Sequence, residues 1–195
     1  MNYSEARNRM QPGDVLAFSG KGGFSNVIKW RTRSSVSHVG VVLQTSIHGD
    51  ARIFNQIIES TSLDGFSGVI TSRVSDRLRD YNGQVWWLPL SSEARDEFNE
   101  KRFFDWMFGQ IGKAYDTKQA VGSAIDWIPF LKNKEDFNKL FCSELVAGGF
   151  EAAGMFDINS SEVTPIDVCK WKIYEGLYQL KGDLKEIPQF NTVNV

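Results

Sequence analysis

The sequence predicts a single domain, 1–195, that mixes β strands with helices, and three observations carry that reading. The chain is 195 residues long, 42% hydrophobic and 13% aromatic, which suits one core that removes about 70% of the unfolded chain's surface from water. Its N-terminal half holds short apolar and β-branched runs separated by Gly, Pro and Asp turn signals. Two longer stretches, one beginning near Ser92 and one around Cys142, carry helix-type spacing and helix-end residues instead.

The elements follow in order. Gln11-Pro12-Gly13-Asp14 is a turn signal, and the apolar run Val15-Leu16-Ala17-Phe18 after it reads as a strand. Ser19-Gly20-Lys21-Gly22-Gly23 is glycine-rich, but its spacing does not match a phosphate loop and no Lys-Ser/Thr pair closes it, so a flexible loop is expected. Phe24 to Arg31 has the brief amphipathic pattern of a short helix. Val36 to Gln44 and Ala51 to Ser60 read as a hairpin, with His48-Gly49-Asp50 as its turn and His48 solvated.

Period-two geometry places His38, Gly40 and Val42 on one face of the first hairpin strand, and Val39, Val41 and Leu43 on the other. Ile53, Asn55, Ile57 and Glu59 share a face of the second. Glu59 or Asn55 could therefore approach the His38 ring across the sheet, where Gly40 leaves space.

Gly83 to Leu90 reads as a further strand, and a helix is expected from about Ser92 to Gln110, with Ser92 as N-cap and acidic residues in its first turns. Its aromatic stripe, Phe103 to Phe108, is expected to be core rather than a ligand pocket. Gly112 to Asp116 turns into an irregular region reaching about Asp136. Its run Trp127-Ile128-Pro129-Phe130-Leu131 could line a groove or pack over the core.

A second helix is expected from Cys142 to Gly154, with Phe141, Leu145 and Ala152 turned inward and Gly148 and Gly149 admitting a close neighbour. On that reading Cys142 sits at a helix N-terminus. Open N–H groups and the macrodipole there favour a thiolate and could hold an oxyanion.

Charge narrows the function classes. The 22 basic and 24 acidic residues give a formal charge of -2 with no long run of one sign, which argues against nucleic acid or another polyanionic partner. Two cysteines and two histidines lie at spacings unlike zinc signatures, so neither a metal nor another cofactor is expected. The cysteine count fits a reducing compartment or one working thiol, with a Cys142–Cys169 bridge as the alternative.

No apolar run follows the N-terminal charges and no stretch nears 18 apolar residues. A chain without signal peptide or membrane span, its location cytoplasmic or unknown, is the expectation. Trp127 to Leu131 could touch a bilayer interface, though they lack a basic flank. Nothing in the pattern sets an oligomeric state. Taken alone, Cys142 and Cys169 each read as small buried residues.

Five stretches in order change that reading of Cys142: Gln11 to Leu16, Ser37-His38-Val39-Gly40-Val41-Val42, Ile57-Ile58-Glu59-Ser60, Gly112-Lys113-Ala114-Tyr115-Asp116, and Phe141-Cys142-Ser143-Glu144-Leu145-Val146. In these motifs, spanning about 11–165 and ending at Thr164-Pro165, the sequence resembles the circularly permuted papain-like superfamily of NlpC-type amidases and peptidases. The resemblance is to its YiiX-like branch, which is related to lecithin retinol acyltransferase-like proteins.

The resemblance implies an α+β fold in which a small antiparallel sheet carries His38 and Glu59 and a packed helix presents Cys142. It implies a Cys142-His38-Glu59 triad that attacks an amide or ester carbonyl of a peptide or an N-acyl lipid through an acyl-enzyme. Asn55 and Gln56 are the alternatives for the third member, and Tyr115 is a candidate oxyanion or substrate contact. Asp14 suits bonds to nearby backbone N–H groups. The alternatives to a hydrolase are a thiol acyltransferase and a non-catalytic binding module of the same fold. The stretch Ala120 to Lys139 is an insertion relative to the family pattern.

Overall fold

Among the described residues, six strands form one antiparallel sheet in the order β4-β3-β2-β1-β5-β6, and helices cover it. The computed structural model describes residues 1–21, 34–48, 52–63, 65–114 and 134–195. The strands are β1 (Val15–Gly20), β2 (His38–His48), β3 (Arg52–Leu63), β4 (Phe66–Arg73), β5 (Gly83–Leu88) and β6 (Tyr178–Lys181). The helices are α1 (Tyr3–Ala6), α2 (Val74–Asp80), α3 (Ser92–Glu97), α4 (Glu100–Gln110), α5 (Lys134–Ala152) and α6 (Pro165–Lys170). The chain is α+β. The short helix expected over 24–31, glycines 22 and 23, the hairpin turn at 49–50, Tyr115 and the run 127–131 lie outside the described residues.

Both faces of the central strands are buried, which explains why β1 is an unbroken apolar run rather than an alternating one. Val15 and Ala17 join Val39, Val41, Leu43, Trp86 and residues of α4, α5 and α6 in a large core on one face. Leu16 and Phe18 join Ile57, Trp87, Val74 and Leu78 in a smaller core on the other, beneath α1 and α2. Successive residues thus serve opposite layers, as strand geometry requires.

One buried carboxylate locks the layers at the start of β1. Asp14 accepts hydrogen bonds from the backbone N–H of Gln11 at 2.9 Å and of Leu90 at 3.1 Å, and from Trp87 Nε1 at 2.9 Å, and it pairs with Arg95. Burial pushes its pKa up to about 6 against the pull of Arg95. These bonds tie the opening turn to the end of β5 and to α3.

The helix expected over 92–110 is two helices. Phe98 leaves helical geometry at ψ 108, and Asn99 caps a new helix by accepting from the Arg102 N–H at 3.0 Å. The Phe98 ring packs against Phe103 and Phe150, and the Asn99 N–H donates to the Ala153 carbonyl, so tertiary contacts hold the break. The first helix is capped by Ser91, whose Oγ accepts from the Ala94 N–H, rather than by Ser92.

Helix α5 ends as the sequence predicts. Gly154 takes φ +81, its N–H donates to the Glu151 carbonyl, and the Met155 N–H donates to the Phe150 carbonyl, the paired bonds of a Schellman cap. Upstream, Gly148 lets α4 approach. A Cβ there meets the Trp106 ring at 2.6 and 2.8 Å.

Gly148→Ala therefore forces the Trp106 ring to move and is expected to lose about 1–3 kcal/mol despite alanine's better helix propensity. Gly109 in α4 faces open space, and Gly109→Ala is expected to gain about 0.4–1 kcal/mol. Urea unfolding midpoints of the two variants check this; shifts of the same sign contradict the packing account.

Candidate active site

His38 is the first residue of β2, and Glu59 lies on the neighbouring strand. His38 Nε2 donates to Glu59 Oε2 at 2.8 Å, and the two side chains are 5% and 0% exposed. Gly40 makes the approach of the two strands' side chains feasible, since a Cβ there meets Ile57 Cδ1 at 2.7 Å and Glu59 Cβ at 3.1 Å. Asn55 does not face His38: its Nδ2 donates to the Arg7 carbonyl at 2.8 Å and contacts Met10 sulfur. Gln56, one residue along from Asn55, points to the opposite face.

Two further residues hold the carboxylate. Arg77 on α2 donates from Nη2 to Glu59 Oε2 at 2.9 Å, and its Nε stands 2.5 Å from Oε1 in a charge contact too bent to be a hydrogen bond. Ser72 Oγ donates to Oε1 at 3.2 Å. Burial pushes the Glu59 carboxyl up, but the His38 hydrogen bond and the Arg77 charge overcome it and hold the pKa down at about 2.

The imidazole has a second neighbour. Burial alone pushes the His38 pKa down, yet the charge and hydrogen bond of Cys142, followed by those of Glu59, raise it to about 9. Nδ1 completes no hydrogen bond of good geometry and is the ring nitrogen left for the thiol, since Nε2 is taken by Glu59. Cys142 is fully buried and belongs to the large core under the helices, whereas Glu59 is held by α2 on the other layer. His38 therefore joins the two layers.

Cys142 is not at a helix N-terminus. Helix α5 begins at Lys134, so Cys142 lies in its interior. Residues 134–141 contain no Gly or Pro to stop a helix and several good helix formers. Interior N–H groups are spent on carbonyls four residues back, so the helix-end thiolate and oxyanion argument does not apply to this cysteine. Of the irregular region expected to reach Asp136, residues 134–136 are helical, and 115–133 lie outside the described residues.

Other candidates sort clearly. Leu145 is buried as expected, while the Phe141 and His48 side chains lie outside the described part. No disulfide joins Cys142 and Cys169. Cys169 donates to the Pro165 carbonyl at 3.4 Å inside α6, and burial pushes its thiol far up, leaving it inert.

Arg77, Ser72 and Tyr81 were not anticipated from the sequence. Tyr81 follows α2, packs edge-on against Phe18 with ring centroids 5.0 Å apart, and reaches Ser37; burial pushes its phenol up to about 12. Phe18 in turn stands 5.3 Å from the His38 ring. The sequence pair Asp64-Gly65 is a hairpin signal, and β4 and then α2 follow it.

Among the described residues no three of His, Cys, Asp and Glu gather as a metal site, and no helix is long and apolar enough to cross a membrane. A surface cavity of about 550 Å³ lies beside Trp86, Leu184 and Phe190, away from His38, Glu59 and Cys142.

Comparison with known proteins yields a distant likeness. No family model matches the chain, and no curated protein does. Among solved structures, the chain is similar to the metalloprotein yiiX from Escherichia coli O157:H7, at 17% identity and a TM-score of 0.43. The alignment covers 73% of this chain and 66% of that one, so the chain spans just under two thirds of its length.

The two shifted groups give opposite pH limbs. His38 has a folded pKa near 9, above its unfolded value of about 6.5, so its stabilisation is complete below the unfolded value and is lost as pH rises through about 9. Glu59, held near 2, stabilises above its unfolded value and loses that contribution as pH falls through about 2. Urea unfolding from pH 6 to 10 is expected to show an alkaline decline in the native protein that is flattened in His38→Gln. Parallel curves would contradict the assignment.

Proposed function

We propose that this chain is a cysteine hydrolase of permuted papain-like topology, cleaving an amide or ester bond through an acyl-enzyme. The observation that carries the reading is the His38 imidazole, buried between a carboxylate on Nε2 and the Cys142 thiol, with its pKa raised by both. The order of motifs along the sequence supports it independently.

Each residue has a defined task. His38 Nδ1 takes the Cys142 proton, giving thiolate and imidazolium, while Glu59 fixes the ring and balances its charge. The thiolate attacks the substrate carbonyl carbon. Collapse of the tetrahedral intermediate breaks the bond to nitrogen or oxygen, and the imidazolium proton goes to the leaving group. Water, deprotonated by His38, then attacks the thioester and releases the acid and Cys142. Because Cys142 is fully buried, productive binding requires part of its cover to move aside.

Incubation with mixed peptide, wall-fragment and N-acyl-lipid donors, followed by peptide mass spectrometry, tests the reading. An acyl mass on Cys142 is expected, absent in Cys142→Ala and formed about 10²–10⁴ times more slowly in His38→Gln. Free acid as the product supports hydrolysis, whereas an acylated amine or lysophospholipid acceptor redirects the assignment to acyl transfer. An adduct formed equally fast without His38 contradicts the mechanism.

A further inference from the structure

Arg77 does more than hold a carboxylate. A thiolate at Cys142 faces His38, and an imidazolium paired only with Glu59 would form a neutral couple, leaving the buried thiolate without a net counter-charge. Such an isolated buried charge is costly. Arg77 changes the balance, because His38, Glu59 and Arg77 together carry one positive charge.

The geometry gives this charge a fixed seat. The Arg77 side chain is 11% exposed, and its guanidinium contacts both oxygens of Glu59 and lies over the Phe18 and Tyr81 rings at 5.6 Å from each centroid. Phe18 also packs on His38. Lys181 Nζ binds the Leu78 carbonyl at 2.5 Å and the Arg79 carbonyl at 3.1 Å, securing the end of α2 that carries Arg77.

We infer that Arg77 is the positioning residue of the site: acting through Glu59, it supplies the net positive charge that stabilises a Cys142 thiolate and sets the pH at which that thiolate forms. This rests on the catalytic reading of Cys142 and His38. Among the described residues, the other ionisable groups that act on the set are Asp80 at the end of α2, Tyr81 beyond it and Cys169 on α6; Asp80 is exposed and its carboxylate is spent on Arg79, while the other two are buried. Burial keeps both neutral, with the Tyr81 phenol pushed up to about 12 and the Cys169 thiol pushed up well beyond its usual range.

The test is a pH titration of thiolate ultraviolet absorbance in the full chain, taken as the difference from the matching Cys142→Ala protein. Arg77→Gln removes the cation and is expected to move the acid limb up by about one pH unit. Glu59→Gln leaves Arg77 unopposed and moves the limb down. Arg77→Lys restores it to near the native position.

A purely structural role would shift the Arg77→Gln and Glu59→Gln limbs in one direction. Should Arg77→Gln unfold, as shown by circular dichroism, the double variant Glu59→Gln/Arg77→Gln carries the test. Its limb is expected within about half a unit of native, and a limb displaced as far as in Glu59→Gln alone overturns the inference. An ordinary thiol titration in the native protein overturns the catalytic reading and this one with it. An activated native thiol whose limb is unmoved in Arg77→Gln overturns this one alone.

Discussion

The hydrogen bond from His38 to Glu59 organises the rest of the site, because a fully buried carboxylate is tolerated only when its charge is met. Meeting it sets several other features. Position 40 must lack a side chain so that β2 and β3 can bring the pair together. The β3–β4 hairpin must deliver Ser72, and α2 must follow at once to deliver Arg77. Tyr81 and Phe18 then enclose the guanidinium. Glu59 thus links the sequence of the sheet to the protonation state of the imidazole.

Asp14 and Arg95 offer an instructive contrast. They form a second buried ion pair in the same sheet, with comparable hydrogen bonding from Trp87 and two backbone N–H groups. There the carboxylate is spent on donors of the scaffold, and burial raises its pKa. Glu59 instead spends one bond on a titratable ring that also feels a thiol. Buried charge alone does not mark a reactive site; in the proposed mechanism the distinguishing feature is the coupling of that charge through the His38 imidazole to Cys142.

Much of the fold was legible because its signals are local. The alternation in β2 and β3 put His38 and Glu59 on facing sides, and the paired glycines in α5 announced a close helix contact. The break at Phe98–Asn99 was not legible, since it depends on the Phe98 ring packing against Phe150 and on the Asn99 N–H donating to the Ala153 carbonyl, both distant in the chain. Nor was the start of α5, because the Cys142 stretch alone already reads as a complete helix closed by Gly154, and nothing in it shows that the helix begins at Lys134. Arg77 escaped notice for a different reason. An arginine in a short charged helix reads as solvated surface until the fold buries it against Glu59.

The central claim is that His38 is held as an imidazolium at neutral pH by Glu59 and by the negative charge left on Cys142 once its proton has passed to Nδ1. Nitrogen-15 NMR of the His38 ring in the native protein and in Cys142→Ala tests it most directly. The account predicts two protonated ring nitrogens at pH 7 in the native protein, with a pKa near 9 that falls clearly when the thiol is removed. A neutral ring at pH 7, or a pKa indifferent to the loss of Cys142, would contradict it.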